Sequence, residues 1–323
     1  MDPTAVLLLQ MGGPDSLDEV EDYICILFSD RDLVQLPAPL SWFQNRLARR
    51  VARRRAPIVR EQYALIGGGS PIGRITRAQA AALEKELRSD GAFRCFAAMA
   101  YTRPSIGGAV EQALAAGCRR FVALSLFPQY CQASTGAAFR DLRENFRRLG
   151  VGPEQVAWID RWGSDAGFLD ALAARTAAAL EEAARAHPAA PQLLVSAHGA
   201  PEALIRRGDP YEKEVRATME GLRSRLDPAT PVTLSFQSRA TPVRWIKPPT
   251  DATLRRLGAE GVKNVVVLPV SFVSDHVETL FEIDLLLGDV ARSAGIEHYM
   301  RVPSFNDGPE LVSVLARLVR ARS

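Results

Sequence analysis

Cysteine is scarce in this chain: four in 323 residues, Cys25, Cys95, Cys118 and Cys131, with no CxxC or other close spacing. That excludes a cysteine metal cage and a disulfide-stapled scaffold, and reduced thiols in a cytoplasmic protein are the expectation. Long apolar runs are missing too, since nothing approaches the ~18 residues a membrane-spanning helix needs. The opening residues, MDPTAVLLLQMGGP, have neither the basic start nor the long apolar middle of a secretory signal, so TAVLLLQ reads as a short buried strand. Charge of one sign is not in excess: 40 Lys and Arg against 37 Asp and Glu leave +3, too little to imply a nucleic-acid partner. The glycine-rich stretches exclude more. GGGSPIG, 67–73, lacks the Gly-Lys-Ser/Thr end of a phosphate loop and the Gly-x-Ser-x-Gly of a hydrolase elbow, and MGGP lacks the spacing of a dinucleotide fingerprint.

What is present is the composition of a globular protein, 47% hydrophobic and 24% charged, in a chain long enough for two domains. Apolar runs at 5–10, 94–99, 120–127, 192–197, 231–236 and 264–271 alternate with helical patterns at 76–88, 106–116, 168–186, 211–226 and 250–259. Near-continuous apolar strands separated by helices predict α/β architecture with parallel sheets covered on both faces. The chain also repeats itself. AVEQALAAGCRRFVALSLFPQY (109–130) matches TLRRLGAEGVKNVVVLPVSFVS (253–274), with Gly117 falling on Gly261. GGGSP at 67–71 has a weaker echo in RGDP at 207–210, each before a helix. LLLQMGGPDS and LLVSAHGAPE set Met11 and His198 at corresponding strand ends. Two similar halves follow, 1–150 and 151–305, divided at the LGVGP break near Gly150–Pro153. A last helix within 306–323 is free to pack back on the N-terminal half. Ligands of open parallel sheets bind beyond the carboxyl ends of the strands, so Met11 and His198 are expected on the rims of a shared cleft.

His198 ends an apolar strand, where an imidazole can accept a proton or ligate a metal. A second constellation is SFVSDHVETLFEID, 271–284. Asp275, Glu278 and Glu282 at i, i+3 and i+7 put three carboxylates on one helical face, with His276 beside them. A capping box on Ser274 or Asp275 would account for Glu278 but not for Glu282. Stacked carboxylates repel by a few tenths of a kcal/mol, which points to a cation nearby, and oxygen with imidazole suits a divalent ion such as Fe²⁺. His187 and His298 are expected in a helix end and a loop, as surface residues. SWFQNRLARRVARRRAPIVR, 41–60, holds seven arginines and no acid, with Trp42, Phe43, Leu47 and Val51 near helical spacing. It reads either as a solvated helix or as a surface for an anionic membrane face.

Taken together, LLLQMGGPDSLDEVEDYICILFSDRDL, REQYALIGGGSPI, FPQYCQASTG, SAHGAP, FQSRATPVRWIKP and VSFVSDHVETLFEID resemble ferrochelatases along essentially the whole chain. The resemblance implies a lyase that inserts Fe²⁺ into protoporphyrin IX to give haem, with release of two protons. It implies two Rossmann-like, chelatase-type halves with the active-site cleft between them. His198 and Glu278 match the family's catalytic and metal-contacting pair, with Asp275, His276 and Glu282 leading outward as a metal or proton path. Met11, Arg55, Tyr63, Tyr101, Gln237, Ser238, Trp245 and Phe272 match porphyrin-binding or supporting positions. Met11 points to protoporphyrin IX, since a tyrosine is expected there in the coproporphyrin-using branch. No cysteine follows Cys131, so the [2Fe-2S] ligands of animal members are lacking, no cofactor is required, and Fe²⁺ is substrate. The extension linked with dimers is lacking too, favouring a monomer, and Ala100 stands where animal members have arginine. A cytoplasmic protein with peripheral contact at the inner membrane through 41–60 is consistent with all of this. The alternatives are a coproporphyrin III or other tetrapyrrole chelatase and, from another class, a non-catalytic haem-binding protein.

Overall fold

A computed structural model describes residues 2–31, 33–34, 40–238 and 243–322. Asp32 and residues 239–242, in the middle of FQSRATPVRWIKP, lie outside it. The chain divides into two compact units, Met1–Arg161 with Asn306–Ser323, and Trp162–Phe305.

The first unit runs β1 Thr4–Gln10, α1 Val20–Ser29, α2 Gln44–Leu65, α3 Ile72–Glu86, β2 Phe93–Met99, α4 Ile106–Ala115, β3 Arg120–Ser125, α5 Ala137–Leu149 and β4 Val156–Ile159. The second runs α6 Ala166–Ala186, β5 Gln192–His198, α7 Glu202–Arg206, α8 Tyr211–Arg223, β6 Val232–Gln237, α9 Thr250–Ala259, β7 Asn264–Pro269, a π-wound segment Glu278–Leu287, α10 Gly288–Ser293 and β8 His298–Arg301. The final helix, α11 Pro309–Arg320, packs on α3 of the first unit. All strand pairs are parallel, in the orders β2-β1-β3-β4 and β6-β5-β7-β8. The two units thus share one topology, as the internal repeat predicts.

The physical origin of the pattern is plain in the inner strands. Ala5 through Leu9 of β1 and Val265 through Val267 of β7 are fully buried, because an inner strand of a parallel sheet is covered on both faces. The repeat holds at the helix stops as well. Gly117 and Gly261 have φ of 83° and 86°, and the next amide in each case turns back, Cys118 to Ala113 O and Val262 to Leu257 O, both at 3.0 Å. A left-handed residue past the last turn is the usual helix terminator, and glycine takes it without strain.

Two short strands go beyond the sequence expectation. β4 lies past the LGVGP break yet pairs with β3, so the first unit runs on to Arg161 instead of ending near Gly150–Pro153. β8 pairs with β7 and starts at His298, a residue expected in a loop. His298 Nδ1 donates to Asn264 Oδ1 at 2.8 Å, while His187 accepts from Ala189 N and meets Glu297 at 3.2 Å. Both imidazoles are therefore bonded parts of the second unit's frame and stack on each other, with centroids 6.4 Å apart. All four cysteines are free, two buried and two half-buried.

Candidate active site

His198 is the last residue of β5, and its peptide is held by a closed circuit of hydrogen bonds. Its N–H reaches Ser271 Oγ at 3.4 Å, Ser271 Oγ lies 2.8 Å from Tyr211 Oη, and Tyr211 Oη donates to His198 O at 2.8 Å. Each hydroxyl then accepts once and donates once, and such circuits reinforce their members. The ring is oriented separately. Nδ1 lies 2.6 Å from Gly199 O, and a carbonyl only accepts, so Nδ1 carries the hydrogen. In the neutral ring, Nε2 keeps its lone pair and is the nitrogen open to a proton or a metal. Gly199 is required beside it: a Cβ there would come 2.7 Å from Gln237 O and 3.2 Å from Trp245 Cε3.

Beyond β7 the chain turns through Ser271–Val277 into the π-wound segment. Phe272 stands between the two imidazoles, edge-on in both pairs, 6.0 Å from His198 and 4.4 Å from His276. His276 donates from Nδ1 to Ser274 O at 2.9 Å, and its Nε2 meets Glu278 Oε2 at 2.8 Å. With Nδ1 committed as a donor, an Nε2 facing a carboxylate must share a proton with it. Burial alone would drive Glu278 up, but the His276 charge prevails and holds it at about 2. Burial opposes the charge on His276, and Glu278 outweighs that and raises it. The two behave as one coupled pair. Glu282, one step along, is the opposite case: burial raises its pKa, helped by the Glu278 charge and opposed by hydrogen bonds from Ser238. Ser238 N donates to Glu282 Oε1 at 2.8 Å and its hydroxyl to Oε2. Ser238 takes φ of 63°, a left-handed value unusual for serine, and strained backbone of that kind collects at functional sites. Gln237 is buried beneath, accepting from Ser196 Oγ and donating to Glu278 O at 3.1 Å.

The second unit therefore gathers His198, Gln237, Ser238, Trp245, Phe272, His276, Glu278 and Glu282 around the ends of β5, β6 and β7. Asp275 stands at the edge of this group. It lies before the segment, accepts from Thr279 Oγ1 at 3.3 Å, and pairs with Arg301 at 3.0 Å and Ser304 at 2.7 Å, so its charge is met by a guanidinium. Counting i, i+3, i+7 assumes α winding from Asp275, whereas the helical stretch begins later and is wound i→i+5. Among the described residues no three His, Cys, Asp or Glu side chains form a ligand set for a metal.

In the first unit, Met11 directly follows β1, and its carbonyl accepts from Tyr101 N at 3.0 Å. Tyr101 is buried and donates to Asp30 Oδ2 at 2.6 Å, and Tyr63 is buried on α2. Arg55 projects from α2 over the Phe28 ring, 5.4 Å away. The same helix turns Ala48, Ala52 and Ala56 inward and leaves the arginines from Arg46 to Arg55, with Trp42 and Phe43 before it, outside.

Tyr211, Ser271, Gly199 and Arg301 escape the sequence reading. Tyr211 directly follows the RGDP turn, whose echo of GGGSP is a usable signal; nothing local to Arg301 announces its partners.

Comparison with known proteins bears on the fold and the family. SirB from Bacillus subtilis, solved with Fe³⁺, superposes with a TM-score of 0.55 at 11% identity, covering 98% of this chain and 94% of that one. Another solved structure, of a sirohydrochlorin chelatase SirB in complex with cobalt, gives 0.52 at 10% identity, over 98% and 94%. The fold is thus that of the chelatases. A sequence profile of the ferrochelatase family matches residues 3–323. Ferrochelatases from Geobacter metallireducens and Geotalea uraniireducens are 43% and 42% identical, over 98% of this chain and 98% and 97% of theirs. That of Gloeothece citriformis is 37% identical over 99% of this chain and 82% of its own. The chain belongs to the ferrochelatase family, whose chemistry is insertion of a metal into a porphyrin in haem biosynthesis.

Proposed function

We propose that this protein inserts Fe²⁺ into protoporphyrin IX to form haem b, with His198 as the base that removes pyrrole protons. The observation that carries this is the bond from His198 Nδ1 to Gly199 O, which leaves Nε2 as an acceptor at the strand mouth beside two carboxylates. Metallation exchanges one divalent ion for two protons, so the site must attract a cation and accept protons together. Glu278, ionised through its pairing with His276, supplies the negative charge that meets the metal. Glu282, raised by burial, takes the second proton and passes it outward. Asp275 contributes through Arg301 and stays off this path. Phe272 and Trp245 offer apolar surface to the macrocycle, Ser238 holds the Glu282 carboxylate and Gln237 the Glu278 backbone carbonyl, and Met11, Arg55, Tyr63 and Tyr101 are the positions of the first unit that match the family's porphyrin contacts. Met11 is a soft, apolar residue and favours protoporphyrin IX over coproporphyrin III. No resident cofactor or iron–sulfur cluster is assigned. The protein acts as a monomer in the cytoplasm, with the basic helix α2 in peripheral contact with the membrane.

Anaerobic metallation of protoporphyrin IX and of coproporphyrin III, by wild type and His198→Ala, tests the proposal. Rapid loss of the free protoporphyrin spectrum, abolished in the variant, is expected. Equal rates in the variant would remove His198 from the mechanism, and a preference for coproporphyrin III would overturn the role given to Met11.

A further inference from the structure

The Glu278–Leu287 segment is wound i→i+5, a form that is rare and persists where surroundings hold it. Three side chains do so. Gln237 reaches the Glu278 carbonyl from β6, as described above. From β8, Tyr299 Oη donates to Ile283 O at 2.8 Å. The third is Arg301, at the end of β8, whose side chain is only 10% exposed. Its Nε and Nη2 meet the two oxygens of Asp284 at 2.7 and 3.0 Å, and its Nη1 meets Asp275 at 3.0 Å and Ser304 at 3.1 Å. Asp275 lies before the segment and Asp284 inside it, with Glu278 and Glu282 between the two. One guanidinium thus fixes the stretch of chain that carries both site carboxylates.

Burying an arginine with two carboxylates is weak support for stability, because desolvation offsets most of the attraction. What such a triad does supply is a defined register, since a guanidinium fork fits a carboxylate in one geometry. A change of winding from i→i+5 to i→i+4 would rotate Glu282 relative to Glu278. It would also draw Asp284 off the fork, so the fork selects one winding.

We infer that Arg301 is a positioning residue for metallation, holding Glu278 and Glu282 in place by tying Asp275 and Asp284 to the end of β8. The inference rests on the function proposed above. Reacting groups displaced by about 1 Å lose roughly 100-fold in rate, which sets the scale of the effect.

The test uses the full chain with Arg301→Lys, which keeps the charge and loses the fork, and Asp284→Asn, which keeps the shape and loses the ion pair. Steady-state metallation of protoporphyrin IX is measured beside urea unfolding and amide hydrogen exchange. We expect kcat to fall about 10- to 100-fold. Porphyrin KM should stay near the wild-type value, unfolding should remain cooperative, and exchange should quicken across 278–287. If either variant fails to fold, the other carries the test. Folded variants with wild-type kcat would overturn the role of Arg301 while leaving the proposed function standing. A wild type that leaves the porphyrin free under anaerobic Fe²⁺ would overturn the proposed function and this role together.

Discussion

Replacing His276 with asparagine removes the charge that keeps Glu278 ionised. In the folded protein Glu278 is held at about 2 against an ordinary 4.5, and that depression corresponds to ~3 kcal/mol at ~1.4 kcal/mol per pH unit. The two side chains are 11% and 31% exposed, so screening by water removes only part of it. Loss of one partner from a buried pair costs ~3–5 kcal/mol in general, the same scale. The pH dependence follows from the two shifts. Glu278 is depressed, so its contribution is present above the unfolded value of 4.5 and is lost as pH falls through about 2. His276 is raised, so its contribution is complete below the unfolded 6.5 and is lost as pH rises through its folded value. The advantage of wild type over His276→Asn is therefore widest between pH 4.5 and 6.5 and narrows on both sides. Urea unfolding at about pH 3, 5.5 and 9 reads this directly, with a midpoint difference of ~1–2 M at the middle pH for a slope of ~2 kcal/mol/M. A gap that stays constant across the three would refute the electrostatic account and leave packing against Phe272 as the cause.

Tyr211→Phe breaks the circuit around the His198 peptide. It should lower stability by ~1 kcal/mol and reduce kcat with porphyrin KM unchanged. Unaltered kcat would mean that the peptide is held without the hydroxyl. The α2 surface, with Trp42 79% exposed ahead of its arginines, should pellet with vesicles containing phosphatidylglycerol at low salt and be released at high salt. Absence of pelleting at low salt would rule out the membrane contact.

The sequence made the inner strands legible because covering both faces of a parallel sheet demands unbroken apolar runs, and β1, β3, β5 and β7 have them. β4 and β8 are four residues each, at sheet edges, and mostly half-buried, so VAWI and HYMR carry no strong period. The candidate site divides in the same way. His198 and Glu278 are visible because each stands where a strand or turn gives way to the site, and Gly117 matches Gly261 because a helix stop has local chemistry. Asp275 departs from the α-helical count because it precedes a segment that is wound more widely, and its carboxylate is met by Arg301. Arg301 stays hidden because its partners are fixed by the pairing of β8 with β7, which no neighbouring residue records.

The division of the chain also bears on how the protein is made. The second unit is one uninterrupted stretch, Trp162–Phe305, whereas the first is completed by Asn306–Ser323. The late segment supplies interior, not decoration: Leu311, Val314, Leu315 and Val319 of α11 are buried, and Arg320 closes on Asp90 at 2.8 Å. A ribosome adding ~5–20 residues per second therefore releases everything the second unit needs before the first has received its last helix. The unit begun first is finished last, and during synthesis the surface of α3 that α11 will cover stays open for as long as it takes to translate the half bearing His198 and Glu278.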